Sequence, residues 1–183
     1  GGYGWQYSDD LARGEGEGRI TATQYWVQPP GTPTVGETIL EAYDATGDAY
    51  YLQAARATAL ALVRGQLESG GWDYRVELDP AKRDQWAYRL DTKKGKENTT
   101  TLDDDNTQAA LRFLMRMDQA LDFRNQSISE AVRYGLDKLL AAQYPIGAWP
   151  QRFDMTPVPG GPAGLKASYP EEWSREYNQL DYR

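Results

Sequence analysis

Gln66-Leu67-Glu68-Ser69-Gly70-Gly71-Trp72 and Gln143-Tyr144-Pro145-Ile146-Gly147-Ala148-Trp149 share one spacing: glutamine, three residues, glycine, one residue, tryptophan. Each stretch closes a pair of segments whose apolar residues recur at helical spacing. Before Gln66, Val35, Ile39, Leu40 and Tyr43 mark a helix that runs out near Gly47. Leu52, Ala55, Ala59, Leu62, Val63 and Leu67 then stripe a second helix, expected to end at Gly70-Gly71. Before Gln143, Leu111, Leu114, Met115 and Leu121 stripe one helix, and Ile128, Val132, Leu136, Leu139 and Leu140 the next. Two helical hairpins with one terminal motif are an internal repeat, and Gly1-Gly2-Tyr3-Gly4-Trp5 reads as the tail of a third copy. Such hairpins bury their apolar faces on one another. The expected class is therefore all-α, an α/α toroid-like arrangement of repeated helical hairpins with long irregular loops. The ring is expected to be incomplete, because two hairpins cannot close one. The loops after Trp5, Trp72 and Trp149 should converge at one end of it.

The 183 residues suit a single domain. Its expected divisions are an irregular segment 1–33 carrying the tail of a preceding repeat, a hairpin 34–72, a long loop 73–104, a hairpin 105–149, and a loop-rich segment 150–183. Thr23-Gln24-Tyr25-Trp26-Val27 reads as a short extended piece inside the first division. The chain opens at Gly1 in the middle of a pattern, so a processed or truncated product is expected, with the rest of the ring in a missing segment or a partner chain.

Composition narrows the chemistry. Six tryptophans and thirteen tyrosines against three phenylalanines favour rings with a polar edge, which can stack on sugars and hydrogen-bond at their rims. There is no cysteine and no histidine, so this chain can build no Ser-His-Asp or Cys-His nucleophile, no imidazole or thiolate zinc site and no histidine base. Any metal ligands must be oxygens, which points to calcium, magnesium or manganese. A net charge of −7 argues against nucleic acid and acidic membranes as partners, and no apolar run is long enough for a membrane span.

The densest charge lies in Thr99-Thr100-Thr101-Leu102-Asp103-Asp104-Asp105-Asn106-Thr107-Gln108, just before the first helix of the second hairpin. Asp105 fits an N-cap with Gln108 three residues on, the spacing of a capping box. One carboxylate completes a cap. Asp103 and Asp104 are surplus, and adjacent carboxylates repel unless a dipole, a cation or a metal offsets them. Asn98-Thr99-Thr100 and Asn125-Gln126-Ser127 match the glycosylation acceptor pattern and receive no role.

Gly70-Gly71-Trp72-Asp73, Thr101-Leu102-Asp103-Asp104-Asp105-Asn106-Thr107 and Gly147-Ala148-Trp149-Pro150-Gln151-Arg152 together resemble the pectate lyases of polysaccharide lyase family ten, over residues 35–183. The resemblance implies an α/α toroid, an acidic polysaccharide (polygalacturonate) as substrate, and calcium-assisted β-elimination with an arginine as base. It also implies Ca2+ ligands among Asp103, Asp104 and Asp73, with Asp105 left as the cap. Arg152 would grip a substrate carboxylate, with Gln151, Trp149, Trp72, Arg175 and Lys166 as further substrate contacts. The base would be Arg183, with Tyr182 or Tyr177 as the alternative, because a guanidinium gives up its proton only in a site that strongly depresses its pKa. Ala148 in place of a second glycine, and the third aspartate, depart from the family pattern. A secreted or periplasmic location goes with this reading. Two other readings compete. A non-catalytic sugar-binding or structural helical-repeat module would keep the repeat without the chemistry. A class II terpene-cyclase-like enzyme would use the aspartates as acid and would need a large apolar cavity.

Overall fold

A computed structural model describes residues 1–157. Four helices carry the core: α1 (Thr32–Thr46), α2 (Ala49–Gly65), α3 (Asn106–Ala120) and α4 (Gln126–Ala141). Pro33 sits in the first turn of α1, where its fixed φ is tolerated, and Gly47 ends that helix at φ 70° with its N–H on the Tyr43 carbonyl. Asp48 caps α2 by accepting the Tyr50 N–H. The expected end of α2 at Gly70-Gly71 is corrected: Gln66 turns extended (ψ 127°), and Leu67 instead pairs with Tyr88. Asn125 caps α4 by accepting the Ile128 N–H, and Asn98 accepts the Ser69 N–H, so both asparagines of the acceptor pattern hold the fold locally.

The fold is helix-rich, and the expectation of an all-α class is corrected by short strands at the hairpin ends: β1 (Gln6–Tyr7), β2 (Gly14–Glu15), β3 (Arg19–Ile20), β4 (Gln24–Trp26), β5 (Arg75–Glu77), β6 (Thr100–Thr101) and β7 (Arg152–Phe153). Strand β4 precedes α1 and pairs antiparallel with β5, which follows α2. In the same way β6 precedes α3 and pairs with β7 beyond α4. Each repeat is thus a strand, two helices and a strand, with the ladder clamping the open end of the hairpin. The first three strands form a small antiparallel sheet beside the first unit.

Hydrogen bonds reproduce the repeat atom by atom. The Gln66 side-chain amide donates to the Gly70 carbonyl at 2.9 Å, and that of Gln143 to the Gly147 carbonyl at 2.8 Å. The Trp72 indole N–H reaches the Leu62 carbonyl at 2.9 Å, and that of Trp149 the Leu139 carbonyl at 2.8 Å. Gly70 and Gly147 take φ 103° and 89°, the conformation that reserves the position for glycine. The third copy is also present, in a different register from the one expected. The Thr107 hydroxyl accepts the Trp72 N–H as the Thr32 hydroxyl accepts the Tyr3 N–H, and the Thr101 N–H meets the Trp72 carbonyl as the Trp26 N–H meets that of Tyr3. Gly1-Gly2-Tyr3 therefore stands where Gly70-Gly71-Trp72 stands in the next unit, and Trp5 matches Tyr74 and Gln151.

The core lies between the four helices, around Leu40, Leu62, Phe113, Leu114, Met117 and Ile128. The Phe113 ring lies against Gly36, where a Cβ would meet it at 2.4 Å, so a bare backbone lets α3 seat on α1. Met115, read as a core position, is exposed, and Met117 takes the inward place. The two units differ on one face. Trp72 and Val63 are 0% and 2% exposed beneath the second hairpin, whereas their repeat equivalents Trp149 and Leu140 are 45% and 66% exposed.

Candidate active site at the hairpin ends

The repeat brings the acidic turn beside the strands that follow the glycine-tryptophan motifs. Leu102 donates its N–H to the Gln151 carbonyl (2.8 Å) as Val27 donates to the Tyr74 carbonyl (2.7 Å), so the entrances of α1 and α3 each lie against one post-motif loop. In this register Gln28 occupies the position of Asp103.

The capping box expected for Asp105 and Gln108 does not form. Asp104 (φ 50°, ψ 32°) and Asp105 (φ 59°, ψ 18°) both take left-handed backbone, which turns the Asp105 carboxylate away from the first N–H groups of α3. Asp105 instead pairs with Arg112 through both oxygens, and the Gln108 amide donates to the Leu102 carbonyl at 2.7 Å. Aspartate accepts left-handed backbone more readily than most residues, at a cost in strain of the kind concentrated at functional sites. Asn106, fully buried, ties the turn down by donating to the Trp72 carbonyl at 2.9 Å.

The two left-handed residues splay the three carboxylates. Asp105 is neutralised by Arg112, whereas Asp103 and Asp104 meet only neutral amides: the Gln151 side chain and the Asp104 N–H at Asp103, and the Gln28 side chain at Asp104. Among the described residues no cation lies within ion-pair distance of either. Asp73 accepts from the Thr101 hydroxyl at 3.3 Å, and among the described residues no three acidic side chains gather into a group that could hold a metal ion. The expected set of Asp103, Asp104 and Asp73 is corrected to that extent. The oxygens present still suit a hard cation, because two adjacent carboxylates with uncompensated charge are the donor type that calcium takes, with water or substrate filling the remaining positions.

Gln28 fixes the second carboxylate. It is buried, and its carbonyl oxygen accepts the Trp26 indole N–H at 3.1 Å, so its NH2 group must face outward, to Asp104 at 3.0 Å and Glu17 at 3.3 Å. Trp26 packs edge-on against Trp5 and face-on against Tyr74, each ring centre 6.0 Å away. Burial first, then the Asp103 and Asp104 charges, raise the Tyr74 phenol above its ordinary pKa, with Arg152 opposing; Tyr74, the two acids and Arg152 thus share one electrostatic neighbourhood.

Other expected contacts divide. Arg152 and Gln151 are exposed at this end, and Trp149 lines a groove of about 450 Å³ with Leu102, Asp103, Gln108, Leu139, Pro150 and Gln151. Trp72 is corrected: it is fully buried between the units and offers no face to a sugar. Lys166, Arg175, Tyr177, Tyr182 and Arg183 lie outside the described residues. A larger opening of about 570 Å³ near Pro80 and Arg83 is remote from the acidic turn, and the Arg83 guanidinium there is already occupied by Asp91 and two carbonyls. The acidic turn lies among exposed polar groups, which gives no support to the isoprenoid-cyclase reading. Sequence reasoning missed Gln28, Trp26, Tyr74 and Glu17. Aligning Gly1-Gly2-Tyr3 on Gly70-Gly71-Trp72 would have flagged Trp5 and Tyr74 as equivalents of Gln151, and nothing in the sequence marks Gln28.

A profile of the family described as pectic acid lyase matches residues 66–159. No curated protein matches the chain. Among solved structures, it is similar to a family 10 polysaccharide lyase from Cellvibrio cellulosa (23% identity, TM-score 0.48). It is also similar to an aspartate-to-alanine mutant of a family 10 polysaccharide lyase from the same organism in complex with trigalacturonic acid (24% identity, TM-score 0.47). Each match covers 80% of this chain and 44% of the other, so the chain spans less than half the length of those relatives.

Proposed function

The chain belongs to the pectic acid lyase family, and from that premise we propose that it forms part of a lyase that cleaves polygalacturonate by calcium-assisted β-elimination. The observation that carries this reading is the pair Asp103 and Asp104, adjacent, bound only to amides and set beside Arg152 inside the family-matched segment. Asp103 and Asp104 are the proposed calcium ligands. Bound there, calcium would withdraw charge from a uronate carboxylate and ease loss of the α-proton. The chain's own groups do the rest. Arg152 orients the carboxylate and stabilises the enolate-like charge that develops on it. Gln151 and Gln28 keep the two aspartates apart, and the exposed Trp149 ring offers a stacking surface beside Asp103. Arg183, with Tyr182 as the alternative, is proposed as the base that takes the proton, and Arg175 and Lys166 as further carboxylate contacts.

We place the two units in an α/α toroid whose further hairpins cover Leu136, Leu140 and Trp149. The exposure of these residues, where their equivalents in the first unit are buried, supports that arrangement. A polymeric substrate also fits action outside the cytoplasm, in a secreted or periplasmic setting. The deciding experiment follows ultraviolet absorbance from unsaturated uronate when the protein meets polygalacturonate, with added calcium and with chelator. Absorbance that grows with calcium and stops with chelator is expected; no absorbance in either condition would overturn the assignment for this chain.

A further inference from the structure

Three successive copies of the motif present equivalent residues at one end of the molecule. Two positions after the motif aromatic stand Trp5, Tyr74 and Gln151, and one position further stand Gln6, Arg75 and Arg152, as the shared backbone bonds fix. Trp5 and Tyr74 each keep part of their ring at the surface. Between them Trp26 is buried, and its indole N–H is committed to Gln28, so it acts as the support on which the two flanking rings rest. Arg75, exposed, holds its guanidinium 5.9 Å from the Trp26 ring centre. Among the described residues, neither Arg75 nor Arg152 has an acidic partner within ion-pair distance. The patch is continuous with the acidic turn, since Gln28 touches both Trp26 and Asp104, and Tyr74 lies in the field of Asp103, Asp104 and Arg152.

Packing alone explains a buried Trp26. It does not explain two part-exposed rings beside Arg75 and Arg152, which among the described residues have no acidic partner, because an aromatic left at the surface gains little from burial and an exposed arginine can find an acid in a chain of net charge −7. Rings and guanidinium groups in one row suit a ligand with flat apolar faces and regularly spaced carboxylates. We infer that Trp5, Tyr74 and Arg75 form an accessory track that carries a longer uronate chain across the first hairpin toward the acidic turn, the rings stacking on sugar faces and Arg75 taking a carboxylate. This rests on the lyase reading and adds to it that binding spreads over both units, so that affinity must grow with oligomer length.

Tryptophan fluorescence titration of the whole chain with trimeric and hexameric galacturonates tests the track without relying on turnover. The hexamer should bind at least about tenfold tighter than the trimer to the unaltered protein, since even one additional ring stack with one additional carboxylate contact supplies that gain. In Trp5→Leu, Tyr74→Leu and Arg75→Gln that advantage should fall to about threefold or less, with trimer affinity unchanged in Trp5→Leu and Arg75→Gln. Arg75→Gln alters an exposed side chain and keeps the test valid if either ring variant fails to fold. Variants that keep the full length advantage, or unaltered protein that binds trimer and hexamer equally, would overturn the track and leave the lyase assignment standing. Unaltered protein that binds neither would overturn both.

Discussion

At the scale of single residues, the acidic turn shows what an adjacent pair of left-handed aspartates accomplishes. Asp103, Asp104 and Asp105 are consecutive in sequence, yet each carboxylate goes to a different partner, Gln151, Gln28 and Arg112. The backbone strain is the cost of that divergence. Replacing Asp104 with glycine relieves it, and Asp104→Gly should raise stability by up to about 1 kcal/mol in urea denaturation while abolishing the response to calcium. Gln28 behaves in the opposite sense. Gln28→Leu leaves the buried Trp26 N–H without its acceptor and frees Asp104, so it should cost about 1–3 kcal/mol in the same measurement. Surplus charge at Asp103 and Asp104 was legible in the sequence. The amide that restrains it was not, because Gln28 lies 76 residues before Asp104 and meets it only through the pairing of two helix entrances.

At the scale of elements, the glycine-tryptophan motif is a structural closure used twice with different surroundings. Gly70 and Gly147 share positive φ, but a Cβ at Gly70 would lie 2.2 Å from the Lys138 side chain, whereas at Gly147 the nearest atom is 4.0 Å away. Gly147→Ala should therefore cost about 1 kcal/mol, from backbone strain alone, and Gly70→Ala more, because the interface between the units must also shift. Thermal unfolding of the two variants side by side measures the difference; equal losses would mean that the inter-unit contact at Lys138 contributes nothing. The helices themselves followed from apolar spacing and the end of α1 from Gly47, whereas the end of α2 expected at Gly70-Gly71 and the cap expected at Asp105 did not form as read. The strands did not, since pieces of two or three residues exist only because the ladder partner lies beyond a whole hairpin.

At the scale of the whole molecule, the two units share one core, and the proposed working end spans both of them. A ligand that joins Asp103 and Asp104 acts on the folded state alone. Calcium at about a hundred times its dissociation constant should then add about 2.7 kcal/mol of stability. The shift in unfolding temperature between calcium and chelator reads that gain, and the double variant Asp103→Asn, Asp104→Asn should show none. If the unaltered protein unfolds at the same temperature in both conditions, the calcium ligands have been misassigned.

By itself the sequence determined the hairpins, their repeat, the oxygen-only chemistry and the two aspartates with charge to spare. These are properties of local spacing and of side-chain type, and they survive without knowledge of what lies opposite. Only the tertiary structure decided that Tyr3 rather than Trp5 continues the repeat, that Trp72 is sealed between units while its equivalent Trp149 is exposed, and that Asp105 pairs with Arg112 instead of capping α3. Each of those outcomes depends on which residue another part of the chain brings into contact, and a linear pattern carries no record of that.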